Sequence, residues 1–157
     1  MTLFPISRLR YAAFALATAS LAACTTLAAS PPGPGMTAIQ AYTDAFNARD
    51  VSAMSELMHP DIEWWAVTDN GAELISMGRK DLAGEMEDYF EGPAAVTSTL
   101  SGEATAGPYI STTETARWTD EDGTEQSQAA IVVYQVSKDG LIRRVWYYPA
   151  YAADAAP

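Results

Sequence analysis

The chain has 157 residues, 48% of them hydrophobic, which is enough for a packed core and excludes a wholly disordered polymer. Twenty acidic residues against nine basic ones leave a net charge of −11, which would repel the phosphates of a nucleic acid. One Cys and one His exclude a disulfide framework, a multi-thiolate zinc site and any metal site needing two imidazoles.

Residues 1–23 read as an export signal. Arg8 and Arg10 give a positive start, and Tyr11–Ala23 is an apolar stretch too short to span a bilayer comfortably. The run Leu21-Ala22-Ala23-Cys24 resembles a bacterial lipobox. That resemblance implies cleavage before Cys24 and acylation of its thiol, the alternative being an ordinary signal that leaves Cys24 free. Thr25 after the Cys favours an outer-membrane destination if the host is Gram-negative. Cleavage removes two Arg and no acid, leaving 20 acids against 7 bases, or −13. The charge would not hold such a domain on anionic lipid, so acyl chains would do so, at roughly 0.8 kcal/mol per buried methylene. Residues 24–35 end in Pro31-Pro32-Gly33-Pro34-Gly35 and read as an extended spacer.

The folded part is expected over 36–150. Thr37 and Gln40 have the spacing of a capping box, and Ile39, Tyr42, Ala45 and Phe46 follow at helical spacing. Asp50 suits the cap of a second helix whose apolar residues are Val51, Met54, Leu57 and Met58, with His59-Pro60 as its stop. Ile62–Val67 reads as a strand with Trp64 and Trp65 on opposite faces, followed by a turn at Asp69-Asn70-Gly71. A third helix is expected over about 79–91, with Leu82, Met86, Tyr89 and Phe90 as its stripe. Beyond Gly92-Pro93 the composition predicts strands near 95–105, 109–118, 127–136 and 141–148, with turns at Asp122-Gly123 and Asp139-Gly140. Residues 151–157 read as a disordered tail. Helices followed by a run of antiparallel strands give an α+β fold.

The stretches Tyr42–Asp50, His59–Trp64, Gly78–Leu82 and Asp139–Ile142, the last leading into Trp146-Tyr147-Tyr148, occur in an order that resembles the SnoaL-like branch of the nuclear transport factor 2 superfamily. The resemblance covers most of 36–150. It implies a cone-shaped, curved antiparallel sheet packed around N-terminal helices, with a pocket inside and frequent dimerisation through the outer face. The superfamily holds ketosteroid isomerases, cyclases, epoxide hydrolases and non-enzymatic binders, so the fold does not choose a reaction.

Against the isomerases, Tyr42 matches the tyrosine that donates to the developing oxyanion. The base falls on Ala66 and the second acid near Val132, and neither side chain can move a proton. Pro149 stands near where cyclases carry an acid. Arg117 and Arg144 could serve an epoxide-hydrolase constellation, but no convincing pair of strand carboxylates accompanies them; Glu103 and Glu114 read as solvated outer-face residues. Tyr42, His59 and Arg117 are therefore the only catalytic candidates, and the place of His59 between a helix end and Pro60 suits a structural role better. The strand parity that removes the base aims Trp64 inward, and with Tyr42, Phe46, Phe90 and Tyr134 it would line an aromatic pocket or fill a core. The acidic run Asp120–Glu125 reads as a hairpin tip, since Trp118 occupies the first position a calcium loop would need. No metal or cofactor is expected.

These observations lead to an envelope-anchored domain that binds a small apolar or aromatic molecule without robust catalysis. Two other readings stay open. One is a lyase, isomerase or hydrolase acting on a cyclic carbonyl compound. The other is a dimeric interaction domain without ligand, which predicts a filled cone and an exposed apolar patch.

Overall fold

A computed structural model of the chain describes residues 33–92 and 95–153. The signal segment 1–23, Cys24, the spacer as far as Pro32 and residues 154–157 lie outside the described residues. The elements in chain order are α1 (Pro34–Asn47), α2 (Val51–Leu57), β1 (Met58–Thr68), β2 (Gly71–Met77), α3 (Arg79–Glu91), β3 (Thr97–Ala106), β4 (Tyr109–Thr119), β5 (Glu125–Val136), β6 (Ile142–Tyr147) and β7 (Tyr151–Ala152). The strands form one sheet in the order β2-β1-β6-β5-β4-β3, with β7 also paired to β5. All pairs are antiparallel except β1 with β6.

Helix α1 starts inside the segment expected to be a spacer. Pro34 opens it, because its fixed φ suits a first turn and its missing N–H would have no partner there. The capping box at Thr37 does not form: the Thr37 hydroxyl donates back to the Gly33 carbonyl at 3.2 Å, and the Gln40 amide donates to Asp44 Oδ1 at 2.9 Å. Asp50 does cap α2, its Oδ1 accepting the Ala53 N–H at 2.9 Å. That helix ends at Leu57, and Met58 already pairs with Ile142 as the start of β1.

The second strand of the β1–β2 hairpin is a correction to the expected order of elements. Six of the seven residues after the Asp69-Asn70 turn pair with β1, from Thr68↔Gly71 to Glu63↔Met77, with a register shift at Ile75. Leu74, Ile75 and Met77 are exposed and Ser76 is the one buried residue, so β2 lacks the apolar alternation that marks a half-buried strand. At the other end, Tyr151 and Ala152 pair with Ala129 and Gln128, so the sheet continues into the segment read as a disordered tail.

Helix α1 packs across one face of the sheet. Ile39 and Tyr42 join Met54, Met58, Ile62, Leu82, Val132, Ile142 and Val145 in the core. Burying each aliphatic side chain contributes roughly 1.5–3 kcal/mol. The end of α1 is fastened to β3 by a reciprocal pair: Asn47 Nδ2 donates to the Ser98 carbonyl at 2.8 Å, and the Ser98 N–H donates to Asn47 Oδ1 at 2.7 Å. Core packing and this clamp fix the helix over the sheet while leaving space beneath its C-terminal half.

Candidate functional site

That space is a cavity of about 470 Å³. Helix α1 contributes Tyr42, Thr43 and Phe46, and α3 contributes Met86 and Tyr89. Along β4, Glu114, Ala116 and Trp118 point in at every second residue, and along β5 Gln128, Ala130 and Tyr134 line it from one parity of the strand. Trp64 from β1, Ser98 from β3 and Tyr147 from β6 complete the walls, with Val96, Tyr148 and Ala150 also lining the cavity. Ala130 lies opposite Glu114 and Ala116 opposite Gln128 in the β4–β5 register. These two methyl side chains leave the middle of the concave face hollow where larger ones would fill it.

Eight of the lining side chains are aromatic, and their polar groups gather around one carboxylate. Glu114 Oε1 accepts the Ser98 hydroxyl at 2.6 Å, and Oε2 accepts the Tyr147 hydroxyl. The Tyr147 ring stacks on Trp64 at 5.0 Å, and Trp64 lies 6.5 Å from Tyr42. Burial, followed by the charge of Glu114, pushes the Tyr42 phenol well above its ordinary value. Tyr134 is raised by burial and then by Glu114 and Tyr42, against an opposing hydrogen bond with Tyr147. Tyr147 is raised by burial, then by Tyr134 and Glu114. All three phenols are neutral donors at pH 7. The Tyr42 hydroxyl is buried and has no hydrogen-bond partner among the described residues. A buried donor without a partner costs roughly 1–3 kcal/mol, so a ligand acceptor there would recover stability already forgone.

The expected site residues divide sharply. Tyr42, Phe46, Trp64 and Tyr134 all line the cavity. Phe90 does not: it packs behind Phe46 at 5.3 Å with the Arg49 guanidinium 5.8 Å from its ring centre, and its neighbour Tyr89 faces the cavity instead. His59 stands at the start of β1, its Nδ1 accepting the Asp61 N–H at 3.1 Å, away from the cavity lining. Arg117 is exposed and donates to Thr99 Oγ1 at 3.3 Å. Arg144 pairs with Glu63 at 2.7 Å and is likewise outside the lining. The two arginines and the histidine are thus not brought together, and no triad can be assembled from them.

Glu114 is the main correction. Expected on the outer face, it is the carboxylate at the centre of the inner one. The missed signal is the parity of β4: Ile110, Thr112, Ala116 and Trp118 share its side of the strand, while Ser111, Thr113, Thr115 and Arg117 take the other. Glu103 is exposed as expected, accepting the Thr105 hydroxyl at 3.1 Å. The acidic hairpin tip is self-satisfied, since Asp120 accepts the N–H groups of Asp122 and Thr124 and the side-chain amide of Gln126. Those bonds, the Gln126 amide first, lower its carboxyl. Ala66 and Val132 supply no acid, so the one carboxylate of the cavity stands at a position different from either.

A model of the SnoaL-like domain family matches residues 39–145, and the chain belongs to that family. No curated protein matches it. Among solved structures, RV0760c from Mycobacterium tuberculosis in complex with estradiol-17beta-hemisuccinate is 18% identical, with 78% of this chain and 97% of that one covered and a TM-score of 0.62. Delta 5-3-ketosteroid isomerase from a Mycobacterium species is 20% identical over 79% and 97% of the two chains, with a TM-score of 0.61. An LEH-like epoxide hydrolase of M. tuberculosis is 16% identical over 73% and 81%, again at 0.61. Identities this low establish a shared fold, which in these neighbours accommodates a steroid ligand, an isomerase and a hydrolase.

Proposed function

We propose that this SnoaL-like chain binds a flat, largely apolar small molecule through aromatic contact, with Glu114 and Tyr42 fixing its polar end. The observation that carries the reading is the hollow cone: about 470 Å³ of open space lined by eight aromatic side chains, with the polar groups gathered at Glu114. An interaction domain without ligand would instead have a filled cone. A cavity of this size falls within the range of about 300–1,000 Å³ that encloses small organic ligands. Native mass spectrometry of the purified chain tests it. A bound mass should be retained by the wild type and lost on Trp64→Ala; clean apo mass after exposure to hydrophobic extracts would overturn the reading.

A catalytic second reading gains support from Glu114. An acid–base reaction on a cyclic carbonyl compound needs a proton acceptor and an oxyanion donor, and Glu114 and the free Tyr42 hydroxyl are groups of those two kinds in one cavity. Turnover abolished by Tyr42→Phe in a protein that still binds its ligand would displace the binder reading.

The proposal extends to location and assembly. Acylation of Cys24 would hold the domain at the cell envelope, in the outer membrane of a Gram-negative host, and Cys24→Ala should release it from the membrane fraction. A homodimer would use the convex sheet face, where Ile131 and Tyr109 are exposed.

A further inference from the structure

The charge pattern of the cavity narrows the class of ligand, and this step rests on the binding reading just given. Among the lining residues Glu114 is the sole Asp or Glu, and none is Lys, Arg or His. The ion pairs found among the described residues are His59–Asp61 and Arg144–Glu63, and neither involves Glu114. Its two hydroxyl donors use about half of the roughly four acceptor positions of an ionised carboxylate. Hydroxyls solvate such a charge without cancelling it.

The walls around that carboxylate reinforce its sign. The faces of Trp and Tyr rings carry the negative end of a quadrupole, which attracts a cation and repels an anion. The field of Glu114 reaches phenols on three different elements: after burial it raises Tyr42 on α1 and, against the smaller opposing charge of Arg49, Tyr89 on α3, and after burial and Tyr134 it raises Tyr147 on β6. A field that opposes a phenolate favours a positive charge in the same place. Water excluded by the aromatic walls would strengthen both effects.

We propose that the cavity is a site for an organic cation: a flat apolar molecule bearing a protonated or quaternary amine, with its positive centre held against Glu114 and the surrounding Tyr and Trp rings. Neutral molecules of the same shape fit less well, and carboxylates are rejected.

Three probes of one shape decide it: 4-biphenylyl-trimethylammonium, its neutral isostere 4-tert-butylbiphenyl and biphenyl-4-carboxylate, each titrated into the full chain by tryptophan fluorescence. The ammonium should bind at least about tenfold tighter than the isostere, with the carboxylate weakest. Glu114→Gln should bring the ammonium and the isostere within about threefold of one another. If that variant does not fold, the wild-type ranking decides alone. Equal or tighter binding of the isostere or the carboxylate overturns the cation inference while leaving the binding reading intact. Saturable binding of none of the three counts against both.

Discussion

The two faces of the sheet treat a glutamate in opposite ways. On the convex face Glu63 meets Arg144, which donates from Nε at 2.7 Å and from a terminal nitrogen at 3.1 Å, and Trp65 Nε1 adds a third donor at 3.0 Å. The Arg144 bonds lead the causes that hold the Glu63 carboxyl below its ordinary range. On the concave face Glu114 has two hydroxyls. The convex carboxylate is neutralised within the fold, as a structural pair would be. The concave one meets no cation among the residues that line its aromatic enclosure, where an unneutralised charge is costly, and such a cost is tolerated more readily at a working site than at a structural one.

The largest expected effect comes from erasing the hollow itself. Ala130→Phe places a ring opposite Glu114 and should weaken ligand binding about a hundredfold, while thermal unfolding moves by only a few degrees. A cavity filled without loss of binding would show that the ligand sits elsewhere. Next, Tyr42→Phe removes a buried hydroxyl that lacks a partner. The empty protein should gain about 1 kcal/mol in chemical denaturation, whereas a ligand with an acceptor at that point should lose roughly tenfold in affinity. A destabilised empty variant would mean the hydroxyl is satisfied inside the fold.

The smallest effect belongs to the convex pair. Because Glu63 has a lowered folded pKa, its contribution is present above the unfolded carboxyl value near 4.3 and is lost as pH falls through the folded one. Glu63→Gln should cost no more than about 1 kcal/mol at pH 7, and the gap from wild type should close in acid. A gap that widens on acidification would reverse the assignment.

The same two faces explain what the sequence could and could not disclose. Helical spacing exposed Ile39, Tyr42 and Phe46, and strand parity from Trp64 and Tyr134 brought most of the expected aromatics to the cavity, because side-chain direction in regular elements follows periodicity. Phe90 and Tyr89 are adjacent on α3, and which of them looks inward depends on the rotation of the helix against Phe46, a tertiary quantity. Glu114 was legible from its strand neighbours yet hidden by its chemistry, since an acidic residue between threonines reads as solvated. β2 was hidden for a different reason: an edge strand that buries only Ser76 carries no two-residue period.

The clamp between Asn47 and Ser98 has a consequence for how the molecule meets its own kind. Among the described residues β3 is a margin of the sheet, and an unpaired strand margin invites a strand from another molecule. The Asn47 amide presents a donor and an acceptor side by side, as a peptide unit would, and occupies both backbone groups of Ser98. A foreign strand would have to dislodge the end of α1 before it could zip along β3. One side chain that steadies the roof of the cavity therefore also blocks strand addition at Ser98 on this margin.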